Sequence, residues 1–234
     1  IYLHLICYIA KSNGNANMEL KPAIGIDMGI KTTVTTSEGD MYDISVRESE
    51  RLKGLHKQLS RRKKGSRGWW DTRQRMRREY ERMTNRRLDM ARKLVHTLAE
   101  GRELVVMQDE NISGWHKGLF GKAVQNSALG TVKDRLKRKD NVVVISRWFP
   151  STKMCPECGQ EYDIALKERI YQCPYCGYTE DRDIKAAKTI LLAGQIEAST
   201  HMEHMGTPVE RISDFQLSYE SWKQSAVKPE AATL

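Results

Sequence analysis

No apolar run in the 234-residue chain is long enough to cross a bilayer as a helix, which excludes a membrane span. Cysteine is scarce, five in all, too few for a disulfide-stapled scaffold. Four of the five fall in two Cys-x-x-Cys pairs, as metal sites do in reducing compartments, and this points to the cytosol. The apolar opening stretch lacks a basic flank and a small-residue cleavage site, so it is not read as a signal peptide. Its residues IYLHLICY are β-formers and read as a strand, with Cys7 a core residue of it. Internal repeats and low-complexity tracts are absent. No Tyr or Ser nucleophile stands in a recognisable setting, which weakens a conventional DNA-strand transferase as a reading. Opening at Ile1, inside a strand, suggests a part of a longer protein.

What is present is charge, unevenly placed. Lys and Arg number 39 against 30 Asp and Glu, a net +9, favourable for a polyanionic partner. Residues 51–102 hold 18 Lys and Arg against 5 Asp and Glu, a net +13, leaving −4 for the rest. One segment therefore carries the whole basic character. In Gln58 to Arg67 (QLSRRKKGSR) the cations Arg61, Arg62, Lys63, Lys64 and Arg67 stand together, followed by Trp69, Trp70 and Tyr80. Phosphate neutralisation accounts for the cations, and stacking or core packing for the aromatics. A solvated helix face is the ordinary alternative, but so large a surplus in an otherwise acidic chain favours nucleic acid.

Lys11 to Lys21 reads as a linker ending at Pro22. Ala23 to Asp27, Thr32 to Thr36 and Met41 to Ser45 are three short strand signals of an antiparallel meander. Residues 46 to about 100 are helical in two pieces divided at Gly65 to Gly68. In the second piece Tyr80, Met83, Leu88, Ala91, Leu94, Val95 and Leu98 form an apolar stripe suited to packing on a sheet. Leu104 to Met107 and Val142 to Ile145 read as buried strands, with a helix over 121–138 between them. The order βββ-α-β-α-β is that of an RNase H-like α/β fold. The tail from Gly194 onward has mixed polarity and is expected to be partly disordered.

Cys155-Pro-Glu-Cys158 and Cys173-Pro-Tyr-Cys176 each place two thiolates on a tight turn, and each second Cys precedes a glycine. Two such knuckles make a closed Cys₄ zinc ribbon, structural rather than catalytic, with a hairpin expected in residues 159–172. His201 and His204 are not needed for the metal. Asp27 ends the strand Ile24-Gly25-Ile26-Asp27 among glycines, where a nuclease holds Mg²⁺, although a strand-terminal Asp is more often a turn residue. Asp181-Arg182-Asp183 precedes an apolar helix (IKAAKTILL), where an Asp is a common N-cap, and Asp181 reads as that cap in preference to a spare metal ligand.

In combination these segments are specific. The succession GIDMG, basic helical arm, LVVMQDENISGW, FPSTKMCPECG, CPYCG, DRDIKAA resembles the C-terminal, RuvC-containing part of TnpB, the transposon-encoded RNA-guided nuclease family related to type V CRISPR effectors. The resemblance covers about residues 20–195. It implies a RuvC core over 23–150 with the basic arm at 46–102, the ribbon at 151–177, a returning RuvC segment at 178–195 and a tail at 196–234. Residues 1–22 would then be the last strand and linker of a nucleic-acid-binding domain. It further implies two Mg²⁺ ions held by Asp27, a central-strand Glu and Asp183, and guide RNA and target DNA as partners. No signal for an oligomeric state is present.

Two positions depart from the pattern. The family's usual metal-binding Glu is Gln108 here, in the run Gln108-Asp109-Glu110-Asn111, and an amide cannot replace a carboxylate's charge. Strand side chains alternate, so Gln108 and Glu110 share a face and Asp109 takes the other, two residues spanning about 6.6 Å. Either Glu110 is the relocated ligand or the site is dead and the protein an RNA-guided binder; relocation is favoured because Asp27 and Asp183 remain. The second departure is Lys185, where the family often has Asn.

Overall fold

A computed structural model describes residues 20–165, 167–201 and 213–226. The expected strand within residues 1–8 lies outside them, as does His204. Strands β1 (Ile24–Met28), β2 (Val34–Thr36) and β3 (Met41–Tyr42) form the antiparallel meander, with Asp27 opposite Thr35 and Val34 opposite Tyr42. Strand β4 (Val105–Gln108) runs parallel to β1 with Ile26 opposite Met107, and β5 (Val142–Ile145) runs parallel to β4 with Gln108 opposite Ile145. The five-stranded order is β3-β2-β1-β4-β5. Parallel neighbours need long crossovers, which the helices supply.

The first crossover holds α1 (Glu50–Ser60) and α2 (Arg67–Ala99). Both begin on a serine whose hydroxyl accepts a backbone N–H, Ser49 from Leu52 and Ser66 from Trp69. Helix α2 is 33 residues long, about 50 Å, and divides its burial. Ala91, Leu94, Val95 and Leu98 pack on the sheet, while Met76 and Met83 meet Val46, Leu52 and Leu55 in a separate small core with α1. Tyr80 leaves the expected stripe; it is exposed, with its hydroxyl 2.9 Å from His56 Nε2. The second crossover holds α3 (Ile112–Lys117), α4 (Gly121–Ser127) and α5 (Leu129–Leu136). The single helix expected over 121–138 is broken at Ala128, φ 53. The Ser127 hydroxyl donates to Val124 O and accepts from Leu129 N, so one side chain serves both ends of the break.

The sheet is covered on both sides. Ile24, Ile26, Met28, Val105 and Met107 face α2 and α5. Alternate residues face α6 (Arg182–His201), which presses so closely that a Cβ at Gly25 would lie 2.1 Å from Ala187 O. A Cβ at Gly194 would lie 2.2 Å from Val106 Cγ1.

Beyond β5 the pairing brackets each cysteine knuckle instead of filling residues 159–172. A bridge joins Met154 and Glu161 around the first, and β6 (Ile170–Gln172) pairs with β7 (Thr179–Asp181) around the second. Each knuckle is itself the turn, with Gly159 (φ 69) and Gly177 (φ 78) in the left-handed region. Part of the expected disordered tail is ordered: α7 (Ser213–Ala226) buries Phe215 and Tyr219, and Trp222 stacks near Phe149 and Tyr219. Phe215, Tyr219 and Trp222 share one helix face, a spacing that the polar composition around them obscures. No helix among the described residues is long and apolar enough to cross a membrane.

Candidate nuclease and metal sites

Asp27 alternates with Ile26 and Met28, so its carboxylate takes the α6 side of β1. Burial pushes its carboxyl up to about 8, the negative charges of Glu110 and Asp183 add to the rise, and Arg182 and the Met28 N–H oppose it. Three acids from β1, the segment after β4 and the start of α6 therefore share one electrostatic neighbourhood. Asp183 is placed by Asp181, whose Oδ1 accepts the N–H groups of Asp183 (2.9 Å) and Ile184 (3.3 Å). Asp181 is thus the N-cap. The Asp183 carboxylate is held by Arg169 at 2.9 Å and Arg182 at 3.4 Å.

After β4, Gln108 and Asp109 take opposite sides, but the Glu110 N–H turns back on Gln108 O at 2.9 Å, so the alternation expected to carry Glu110 to the Gln108 side stops there. Asp109 turns to the α5 side, where Lys133 (2.8 Å), Lys137 (2.6 Å) and Arg147 (2.5 Å) surround it and hold its carboxyl far below the usual range. Glu110 lines a hollow with His116, Lys133 and Arg147. Burial raises its carboxyl, with Lys133 pulling the other way.

Gln108 is not free for a metal. Its Nε2 donates to the carbonyls of Ser146 (3.2 Å), Arg147 (3.1 Å) and Phe149 (2.7 Å), and its Oε1 accepts the Ser151 hydroxyl at 2.9 Å. Three carbonyls demand a donor, which an amide supplies and a carboxylate does not. Lys185 reaches the same residue from α6, its Nζ donating to Ser151 O at 3.0 Å. Neither contact could be foreseen, because Ser151 is remote in sequence from both partners.

Cys155, Cys158, Cys173 and Cys176 are free thiols whose Sγ atoms all lie within 4.8 Å of one another. Cys155 to Cys176 and Cys158 to Cys173 are 3.6 Å apart, whereas four thiolates about 2.3 Å from a central zinc sit about 3.8 Å from each other. The cluster can hold a tetrahedral ion once its wider pairs, which reach up to 4.8 Å, draw in. It is the one such group among the described residues; Asp27, Glu110 and Asp183 do not form a second one.

Arg61, Arg62, Lys63, Lys64 and Arg67 occupy the loop between α1 and α2 and the first residue of α2, all exposed and without ion pairs among the described residues. Gly65, φ 85, makes the turn. Just beyond, Trp69 and Trp70 meet edge to face, with the Arg73 guanidinium 4.8 and 5.3 Å from their centroids. Trp70 stays half exposed.

Comparison with known proteins gives two family matches, "Probable transposase" over residues 7–116 and "Cas12f1-like, TNB domain" over residues 132–190. A Streptomyces pristinaespiralis protein named "Putative RNA-guided DNA endonuclease" is 35% identical over 182 residues, covering 74% of this chain and 45% of that protein. A Mycobacterium tuberculosis protein named likewise is 29% identical over 211 residues, covering 82% and 45%. A "TnpB-like protein" of Acanthamoeba polyphaga mimivirus is 28% identical over 155 residues, covering 57% and 26%. The chain spans about half the length of the first two relatives.

Proposed function

The chain belongs to the TnpB family, and on that premise we propose that it carries the nuclease portion of an RNA-guided DNA endonuclease, a RuvC-type core of RNase H-like fold. The sheet supports this fold: a three-stranded antiparallel meander whose first strand continues into two parallel strands. The observation that carries the function is the placement of Asp27 on β1 under the first turns of α6, where the packing of Gly25 on Ala187 and the Asp181 cap bring Asp183, an acid whose charge raises the Asp27 carboxyl. An anionic pocket of oxygen donors is balanced by a hard divalent cation, and magnesium fits the donor set.

Asp27, Glu110 and Asp183 would hold the magnesium, with Glu110 taking the duty that Gln108 cannot perform. Two such ions would make water nucleophilic at neutral pH and offset the charge that builds on the phosphate oxygens during in-line attack. Asp27 would hold the ion as a carboxylate, its proton released to solvent, and Asp183 would do so in place of its ion pairs with Arg169 and Arg182. The four cysteines would hold a structural zinc. Arg61, Arg62, Lys63, Lys64 and Arg67 would contact phosphates of the guide RNA paired to target DNA, a duplex met through its backbone and not its sequence.

The test is cleavage by the full-length protein with its guide RNA in Mg²⁺ or Mn²⁺. Asp27→Asn and Asp183→Asn should each lower cleavage by orders of magnitude and keep guided DNA binding. A guided binder with a dead site has Gln108 and the existing ion pairs of Asp183 in its favour. Guided binding with no cleavage at any Mg²⁺ or Mn²⁺ concentration would establish that second reading.

A further inference from the structure

The first turn of α6 hides a lysine. Lys185 has a relative exposure of 0% and ranks among the largest fully buried side chains. Its Nζ meets the Ser151 carbonyl at 3.0 Å and lies 4.2 Å from the centroid of the buried Tyr171 ring. No carboxylate pairs with it among the described residues. One carbonyl and one ring face do not offset the loss of an ammonium's hydration. Burial pushes its ammonium down to about 7, and negative charge on Cys155 and Cys173 pulls the other way.

That neighbourhood has a deficit of the opposite sign. Zinc with four thiolates carries a formal charge of −2. Tyr171, whose ring lies under the Lys185 Nζ, shares a buried cluster with Cys155 and Cys173.

We propose that Lys185 is the countercation of the metal–thiolate centre and that, through Ser151 and Gln108, it ties metal in the ribbon to the end of β4. The connection is short: Ser151 accepts Lys185 at its carbonyl and donates its hydroxyl to Gln108 at the end of β4. Asp183 lies two residues before Lys185 on the same helical turn. Lys185 is thereby a positioning residue. The inference rests on reading the cysteines as a zinc site, and its readouts need no cleavage, so it can fail while the nuclease reading stands, and the reverse.

The test compares the unsubstituted chain with Lys185→Met, which removes charge and hydrogen bond, and Lys185→Gln, which keeps a donor for Ser151 and removes the charge. Zinc affinity is measured by competition with a chromogenic chelator, and melting temperature with and without zinc. A countercation predicts opposite signs. Both variants lose zinc affinity by roughly 10–100-fold, the usual range for groups that support metal ligands, while their metal-free forms melt no lower than the unsubstituted protein. A Lys185→Gln protein that holds zinc as tightly as the unsubstituted chain overturns the proposal in favour of a hydrogen bond alone. Equal losses of melting temperature in both forms, with zinc affinity unchanged, overturn it in favour of packing. If Lys185→Met does not fold, Lys185→Gln supplies both readouts. An unsubstituted chain that binds no zinc overturns it outright.

Discussion

Asp27 sets folding against the proposed chemistry. Its carboxyl, raised from 3.8 to about 8, is protonated in the folded magnesium-free chain at neutral pH and ionised in the unfolded one. The stability it contributes is present below about 4 and is lost as pH rises towards 8. Asp27→Asn should therefore raise stability at pH 8 by an amount on the order of 3 kcal/mol, seen as a higher melting temperature, and leave it unchanged at pH 4. The scan is run without added magnesium and without chelator, which would strip the cysteines. Magnesium should narrow the gap, because it binds the aspartate and not the amide; a difference independent of pH would remove the electrostatic account. Gln108 makes the opposite case. With its Nε2 given to three carbonyls, Gln108→Glu should lower stability by roughly 2–4 kcal/mol and gain no cleavage. Glu110→Gln should abolish cleavage at little cost in stability. Cleavage gained by Gln108→Glu would return the third ligand to position 108. Strand parity is enough to foresee which side Gln108 and Asp109 take, but the partners of Gln108 come from residues 146–151, and no local pattern reports them.

The helical hairpin of α1 and α2 is the element on which the proposed nucleic-acid binding is concentrated. It has its own small apolar core, so its loop cations can be changed without touching the sheet. Reversing Arg61, Arg62, Lys63 and Lys64 to Glu should weaken nucleic-acid binding alike for all sequences. The salt dependence should flatten by about 0.7–0.9 in log–log slope for each phosphate that the loop no longer neutralises. An unchanged slope, measured from about 50 to 200 mM salt, would return the loop to a solvated surface. The hairpin is readable in the sequence because both of its signals are local: apolar spacing along each helix, and a glycine where the chain turns. The break between α4 and α5 is also local but is made by ordinary residues. Ala128 adopts φ 53 without being a glycine, held there by the Ser127 hydroxyl and by burial of Leu129 and Val132. The ribbon strands sit outside the knuckles because the cysteine turns, not the residues between them, reverse the chain.

At the scale of the whole molecule the ribbon is joined to the sheet by two helices. Strand β7 ends on Asp181, which caps α6, and α6 lies across β1 and β4 at the close approaches of Gly25 and Gly194. On the other side α7 closes on the first knuckle, so tightly that a Cβ at Gly159 would stand 2.5 Å from Ser218 Oγ and 2.9 Å from Asp214 O. The succession of strands and helices can be read from the sequence because each is a local run. The role of α7 cannot, since Phe215 and Tyr219 have meaning only against Phe149 and Ile190 of distant segments. This joining makes a prediction about where loss of the metal is felt. If the cysteines hold zinc, chelation should speed amide exchange not only in residues 154–178 but also at the start of α6, over 182–186, and throughout α7. Exchange in the α1–α2 hairpin should stay as it was, because its core shares no residue with the ribbon. Cys173→Ser should reproduce the pattern without chelator. Hydrogen–deuterium exchange followed by mass spectrometry resolves all three regions in one experiment. Faster exchange confined to the knuckles would show that the ribbon folds as an appendage, and that Asp183 is seated by α6 packing on Gly25 alone. Spread into α6 and α7 would make the metal part of the frame that brings Asp183 to Asp27.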